Sequence, residues 1–200
     1  MTVNKDIDSR ERLIISTQQL LWERGYIGTS PSAIQERSGV GQGSMYHHFK
    51  GKPELALAAI MRSAAEMQET AESRFSSHGT AIERISAFLY SKRDLLRGCQ
   101  AGRLVQDPDV IASNELRQPL TDLFDFVRRR LIDIIQSGLD SGEFDTALDP
   151  ENTAEMIAAS VQGGYVLARA ANSVEPFNKM VAAVIDMLKM RAQIAAQATK

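Results

Sequence analysis

Gln42, Gly43, Ser44, Tyr46 and His47 form a short polar run behind a glycine-marked turn, with Lys52 close after them. A glutamine amide donates and accepts at once and can pair bidentately with adenine, while a serine hydroxyl suits several bases. Gly43 leaves room for close approach. Tyr46 and His47 lie about one helical turn further on and offer donors to phosphate oxygens, which fix position without specifying sequence. Lys52 brings a cation to a helix start, where free backbone N–H groups already favour an anion. Ser30 and Ser32 offer the same kind of contact one helix earlier. The chemistry of this set is hydrogen bonding to base edges and phosphates.

These side chains need a short helix held proud of its supports. Residues 9–24 carry Leu13, Thr17, Leu20 and Leu21 at helical spacing, and Gly25 is a natural stop. Ser30 caps a second helix, with Pro31 at its first position, where a missing N–H costs nothing. Gly39 ends that helix. Gly41 opens a third, running to about Phe49, and Pro53 opens a fourth that runs to about Phe75. Two helices joined by a short glycine turn set the second at a steep angle, and a B-form major groove is wide enough to admit it. Phe49 is assigned to the core with Ile34, Val40 and Leu55.

Helical periodicity continues to the end of the chain, and the fold class is all-α. Ile82 to Leu96 predicts a fifth helix, broken by Gly98 to Gly102. A short one follows near 103–112, interrupted by Asp107-Pro108. A long apolar stripe runs from Leu116 to Leu139. Asp149-Pro150 opens a helix reaching Ala171, and Glu175-Pro176 opens the last. The expected organisation is a helix-turn-helix DNA-binding domain over 1–52 and a larger helical domain over 53–200. The helix from Pro53 serves both.

Composition narrows the function classes. The 200 residues are 44% hydrophobic and 24% charged, ordinary for a globular protein. No run of about 18 apolar residues occurs, so no membrane span is expected. Met1 to Asp8 lack the apolar centre of a signal peptide, which predicts the cytoplasm. Residues 1–52 hold seven Lys/Arg against five Asp/Glu, and 53–200 hold sixteen against twenty. That mild asymmetry puts the positive charge on the half expected to meet phosphates. Hydrolase elbows, phosphate-cradling glycine loops and zinc-protease motifs are absent, so no enzyme and no cofactor are expected. Cys99 is alone and reads as a quiet buried thiol. His47 and His48 point about 100° apart on a helix and have no third ligand near, so no metal is expected. A helical interaction scaffold is the alternative from another class. It would leave the Gln42-to-Lys52 pattern without a purpose.

Residues 10–56 resemble the DNA-binding domain of TetR-family transcriptional regulators. The matching positions are Glu23-Arg24-Gly25-Tyr26, Thr29-Ser30, Ile34, Gly39-Val40, Gly43, Tyr46-His47-His48-Phe49, Lys52 and Leu55. Gly41 stands where the family usually has a small hydroxyl residue, which removes one side-chain phosphate contact. Ser16-Thr17 replaces the usual alanine pair. More loosely, the C-terminal half is similar to the branch around the LmrA and YxaF regulators. The carriers are Arg97-Gly98-Cys99, Ser141-Gly142-Glu143-Phe144, Leu148-Asp149-Pro150 and Gln162-Gly163-Gly164-Tyr165 with Leu167-Ala168-Arg169. The resemblance implies that 53–200 is a ligand-binding and dimerisation domain, and that the protein is a homodimer that binds a double-stranded operator and is released by a small-molecule effector. A TetR-like activator is the alternative within the family.

Small residues on the last two helices, including Ala158, Ala159, Gly163, Gly164 and Ala168, permit close helix approach and a two-fold four-helix interface. The expected interface residues are Ala158, Val161, Tyr165, Val181, Val184 and Leu188, with packing inside one chain as the competing reading. In this fold Met61, Phe88, Leu104, Leu120, Phe124, Val127, Gln162 and Tyr165 are candidates to line an effector pocket. Plain core is again the competing reading.

Overall fold

Among the described residues, ten helices follow the punctuation of the chain. The computed structural model describes residues 8–198. The segment read above for a leader, residues 1–7, lies outside the described residues. The helices are α1 (Ser9–Arg24), α2 (Pro31–Ser38), α3 (Gln42–His48), α4 (Lys52–Phe75), α5 (Ala81–Leu89), α6 (Gln100–Leu104), α7 (Pro108–Ala112), α8 (Asn114–Asp140), α9 (Pro150–Ala171) and α10 (Glu175–Ala198). Among the described residues there is no strand, and no helix is long and apolar enough to cross a membrane.

The caps follow local chemistry. Ser30 Oγ accepts from Ala33 N at 3.2 Å and Asp149 Oδ1 from Asn152 N at 2.7 Å, each in front of a proline at the first helical position. Gly39 closes α2 in the left-handed region at φ 64°, where a Cβ would be strained. Thr80 and Glu83 form a reciprocal capping box on α5.

Two stretches differ from the expectation. α5 was expected to continue through Leu95 and Leu96, but it ends at Leu89. Arg93 folds back and donates to the carbonyls of Phe88 and Leu89, both at 2.7 Å, and takes acceptors that a further turn would use. The Gly98 to Gly102 stretch was expected to be a break, yet α6 starts inside it at Gln100.

The chain divides into two units. One comprises the chain up to Glu66 together with Gln100–Leu123. Its interior holds Leu13, Leu20, Leu21, Ile34, Val40, Met45, Phe49, Leu55, Ile60 and Leu104. The other comprises Met67–Cys99 and the chain from Phe124 on. Its core joins Phe75, Ile85, Phe88, Leu131, Ile134, Phe144, Ile157, Phe177, Val181 and Leu188. The DNA-reading half was expected to end at residue 52. The unit that contains it also includes the beginning of α4, both short helices α6 and α7, and the first turns of α8.

The loose motif of the C-terminal half is explained by packing in the second unit. Glu143 accepts from Ala81 N at 2.7 Å and Ile82 N at 2.9 Å and so caps the start of α5. A Cβ at Gly138 would lie 2.6 Å from the Phe144 ring, and one at Gly164 would lie 2.9 Å from Phe177. These residues specify how helices pack, which accounts for a motif that speaks to domain type and not to ligand.

Candidate nucleic-acid interface

α3 has only seven residues, too short to be stable alone in water. Its supports make it. Met45 is fully buried on the inner side, and Phe49, which ends the helix, is 3% exposed. Phe49 joins Ile34, Val40 and Leu55 as expected from the sequence, and Met45 is an addition to that core. Arg10 lies over the Phe49 ring at 5.3 Å. Helices α2 and α3 both pack on α1. In α1, Thr17 returns its hydroxyl to Leu13 O at 2.7 Å. Thr17 is thereby buried in place of an alanine with its donor satisfied, whereas the equally buried Ser16 hydroxyl beside it has no hydrogen-bond partner.

Burying Met45 and Phe49 turns the rest of α3 outward. Gln42, Gly43, Tyr46 and His47 are exposed, and Ser44 is half-buried. Nothing lies within 4 Å of where Cβ atoms would stand at Gly41 and Gly43, so the start of α3 is open to close approach. Gly41 caps α3 without a side-chain hydrogen bond, so the first amides keep their donors. Tyr46 keeps 48% of its surface in solvent, so its hydroxyl is accessible. His47 and His48 stand with ring centres 5.2 Å apart, and no metal-holding group occurs among the described residues. Ser30 and Ser32 are exposed and bond to each other at 2.9 Å.

Lys52 adds a feature that sequence reasoning missed. Its ammonium lies 4.0 Å from the centre of the Tyr26 ring. Burial pushes its pKa below the usual lysine value, with Asp109 and Asp107 opposing that shift. A cation over an aromatic ring gains from about 0.5–1 kcal/mol at exposed sites to about 2 kcal/mol when desolvated. A charge-assisted hydrogen bond gains about 1.5–3 kcal/mol. A phosphate beside the ring would compete with it for the ammonium on comparable terms.

A short exposed helix with a polar leading edge, carried on two supports, is a helix-turn-helix reading head. The sequence matches the family model of bacterial regulatory proteins of the tetR family over residues 13–59. Residues 81–184 match the tetracyclin repressor-like C-terminal domain. The chain belongs to the TetR family of transcriptional regulators. It is a DNA-binding regulator with the all-helical TetR fold. It is 28% identical to the transcriptional repressor NemR of Escherichia coli K12 over 196 residues, covering 94% of this chain and 98% of that one. It is 24% identical to the regulator LmrA of Bacillus subtilis over 190 residues, covering 91% and 97%. A TetR regulator of Chloroflexus aurantiacus superposes with a TM-score of 0.83 at 26% identity, covering 92% of this chain and 95% of that one.

The TetR C-terminal half distributes the remaining expected residues differently from the sequence reading. Val161, Val181, Val184 and Leu188, expected at a subunit interface, belong to the core of their own chain; Leu188 has no exposed surface. Ala158 and Tyr165 are half-buried. Helices α9 and α10 carry apolar residues on both sides. The outward side holds Ala159 and Gly163, two of the small residues read for close helix approach, together with Met156, Val166 and Leu167 on α9 and Met190 and Ile194 on α10, which the sequence reading did not name. Val166, Leu167 and Met190 are each more than half exposed.

The expected pocket residues fall into both units. Met61 is 55% exposed, and Leu104 and Leu120 are interior residues of the first unit. Phe88 is in the core of the second, with Val127 and Tyr165 packed against it. Phe124 and Gln162 are half-buried there. Tyr165 stands 5.2 Å from the Phe177 ring, and burial pushes its hydroxyl pKa up to about 12. The hydroxyl is therefore a neutral donor and acceptor at physiological pH.

Proposed function

We propose that this TetR-family protein is a cytoplasmic, homodimeric repressor that a small molecule releases from a palindromic operator. Support comes chiefly from the outward face of α3, where Gln42, Gly43, Tyr46 and His47 are exposed and Ser44 is half-buried, while Met45 and Phe49 anchor the helix. Gln42 and Ser44 would read base edges. Tyr46, His47, Lys52, Ser30 and Ser32 would hold phosphates. One seven-residue helix reads few base pairs, so two copies on half-sites about one helical turn or more apart are needed for affinity. The outward faces of α9 and α10 supply an apolar surface suited to a second copy. We place the effector against Phe88, Phe124, Val127, Gln162 and Tyr165, where polar groups border apolar ones. The effector shifts the balance between two states only by its differential affinity for them. The 24-residue helix α4 begins at Lys52 and ends at the core residue Phe75, and a continuous helix suits that coupling.

Selection from a randomised duplex pool tests the reading, followed by affinity measured against salt. A preferred sequence and a steep loss with salt are expected. Salt-independent or sequence-blind association would favour the scaffold alternative. Within the selected duplex, Gln42→Ala should lose about 1–3 kcal/mol of discrimination at one base position. An unchanged preference there would remove Gln42 from base reading. Lys52→Ala should weaken all duplexes alike and flatten the salt slope by about one unit. A slope equal to that of the native protein would show that the lysine never leaves Tyr26.

A further inference from the structure

Gly25 stops α1 at φ 73°, and the chain turns through residues 25–28 before α2 begins at Pro31. That turn exposes amides which the helix ladder does not use. Tyr26 N donates to Asp107 Oδ2 at 2.8 Å, and Ile27 N donates to the same oxygen at 3.1 Å. The other oxygen, Oδ1, accepts from Asp109 N at 3.2 Å and caps α7. Asp107 is 9% exposed, so this carboxylate is buried and spent on backbone donors. The approach is close enough that a Cβ on residue 25 would lie 3.1 Å from Asp107 Oδ2. From within, Thr29 fastens the same turn by donating its hydroxyl to Gly25 O at 2.7 Å.

A second polar contact ties the same stretch of chain to the same helix. Ser63 Oγ of α4 receives Gln18 Nε2 of α1 at 3.0 Å and Gln100 Nε2 of α6 at 2.7 Å. Gln18 and Ser63 are both buried. A buried network whose members are satisfied rigidifies and specifies one arrangement. The segment from Gln100 to Ala112 is thus fastened to the far end of α1 and to its middle.

We propose that Asp107 is a positioning residue for DNA reading. It touches no base or phosphate. It fixes the turn between α1 and α2, and through that turn the attitude of the α2–α3 pair. Residues 100–112 are then a working part of the reading head, although the DNA-binding family match ends at residue 59. The physical reason is accounting. Remove the carboxylate and two turn amides lose their acceptor, and that of the buried Tyr26 loses it where water does not readily take its place. The turn must then rearrange to satisfy them, only three residues before Ser30 caps α2. The capping geometry at Ser30 and the entry angle of α2 change with it.

The inference rests on the DNA-reading proposal above, and its test separates the two. The probes are the duplex that the native protein selects from a randomised pool and a scrambled duplex of equal length. Both are measured well below each variant's unfolding temperature. Asp107→Ala should lose about tenfold or more on the selected duplex, with the scrambled duplex unchanged. Asp107→Asn keeps the shape and one acceptor oxygen and should fall between. It carries the test if the alanine variant does not fold. Amide exchange should quicken at Tyr26 and Ile27 in both variants. Native affinity for the selected duplex in a folded Asp107→Asn or Asp107→Ala protein, whatever its melting temperature, would leave Asp107 a structural cap and overturn the inference. An equal loss on both duplexes would do the same, because it would report lost general attraction and not a misplaced head. If the native protein selects no duplex, the reading beneath the inference fails and takes it along.

Discussion

In the proposed homodimer, Leu167→Glu combined with Met190→Glu should leave a folded monomer and lower operator affinity by about a hundredfold or more. Both residues are 57% exposed, one on α9 and one on α10 of the same unit. A charge at either position meets only water in a lone chain, so folding should change little. In an interface related by a two-fold axis, each substitution enters twice, and four carboxylates would be brought into an apolar contact. The effect on operator binding is larger than the loss of any single contact. Linking two heads raises avidity by about 10²–10⁴-fold without adding contacts, and a monomer forfeits that gain. Sedimentation should show one chain per particle, circular dichroism a native helix content, and gel shifts a lost complex. A stable dimer in the double variant would move the subunit contact away from α9 and α10. A monomer that bound its operator with native affinity would show that a single head suffices.

The site and its setting were unequally legible in the sequence. Ser30-Pro31, Asp149-Pro150 and the glycines at 25 and 39 are local devices. Each acts within about one helical turn, so a reader of the sequence has all the participants in view. The exposed edge of α3 was legible for a related reason. In seven residues, the apolar Met45 and the following Phe49 leave one outward side, and the polar residues occupy it.

What escaped reading depends on partners far along the chain. α9 and α10 carry valine, leucine, isoleucine and methionine on both sides. Periodicity detects an apolar stripe, but only packing decides whether Val161 or Val166 faces the core. Here Val161 does. The turn after α1 shows the same limit. Asp107 followed by proline reads as a helix cap, and it is one. Nothing in that dipeptide signals that its other oxygen serves amides about 80 positions earlier in the chain. Lys52 is a third case. A lysine at a helix start reads as a phosphate donor, while its position over Tyr26 requires knowing where the α1 turn lies. The end of α5 is a fourth. Leu95 and Leu96 continue the apolar count, but Arg93 has already taken the carbonyls that the helix would need.

Phe75→Ala should remove about 3–5 kcal/mol of stability. Phe75 has no exposed surface, and its ring stacks on Phe88 with centres 4.5 Å apart and planes inclined by 29°. It ends α4, and its carbonyl accepts from Arg84 Nε at 2.7 Å, so the backbone there is held by α5. Two effects add in the variant. The transfer term is the loss of a large apolar side chain from a dry site. The cavity term arises because Phe88, Ile85 and Leu131 are themselves fixed in the core and cannot close the gap. Phe88 also carries Arg93 over its face at 4.9 Å, and a ring that tilts toward the vacancy would disturb that contact. Ile27→Ala is a suitable control. Ile27 is 60% exposed, and its truncation should change stability by no more than about 0.5 kcal/mol. Urea unfolding followed by circular dichroism measures both. A loss below about 1.5 kcal/mol for Phe75→Ala would mean that neighbouring side chains fill the space, contrary to a rigid aromatic stack at the end of α4.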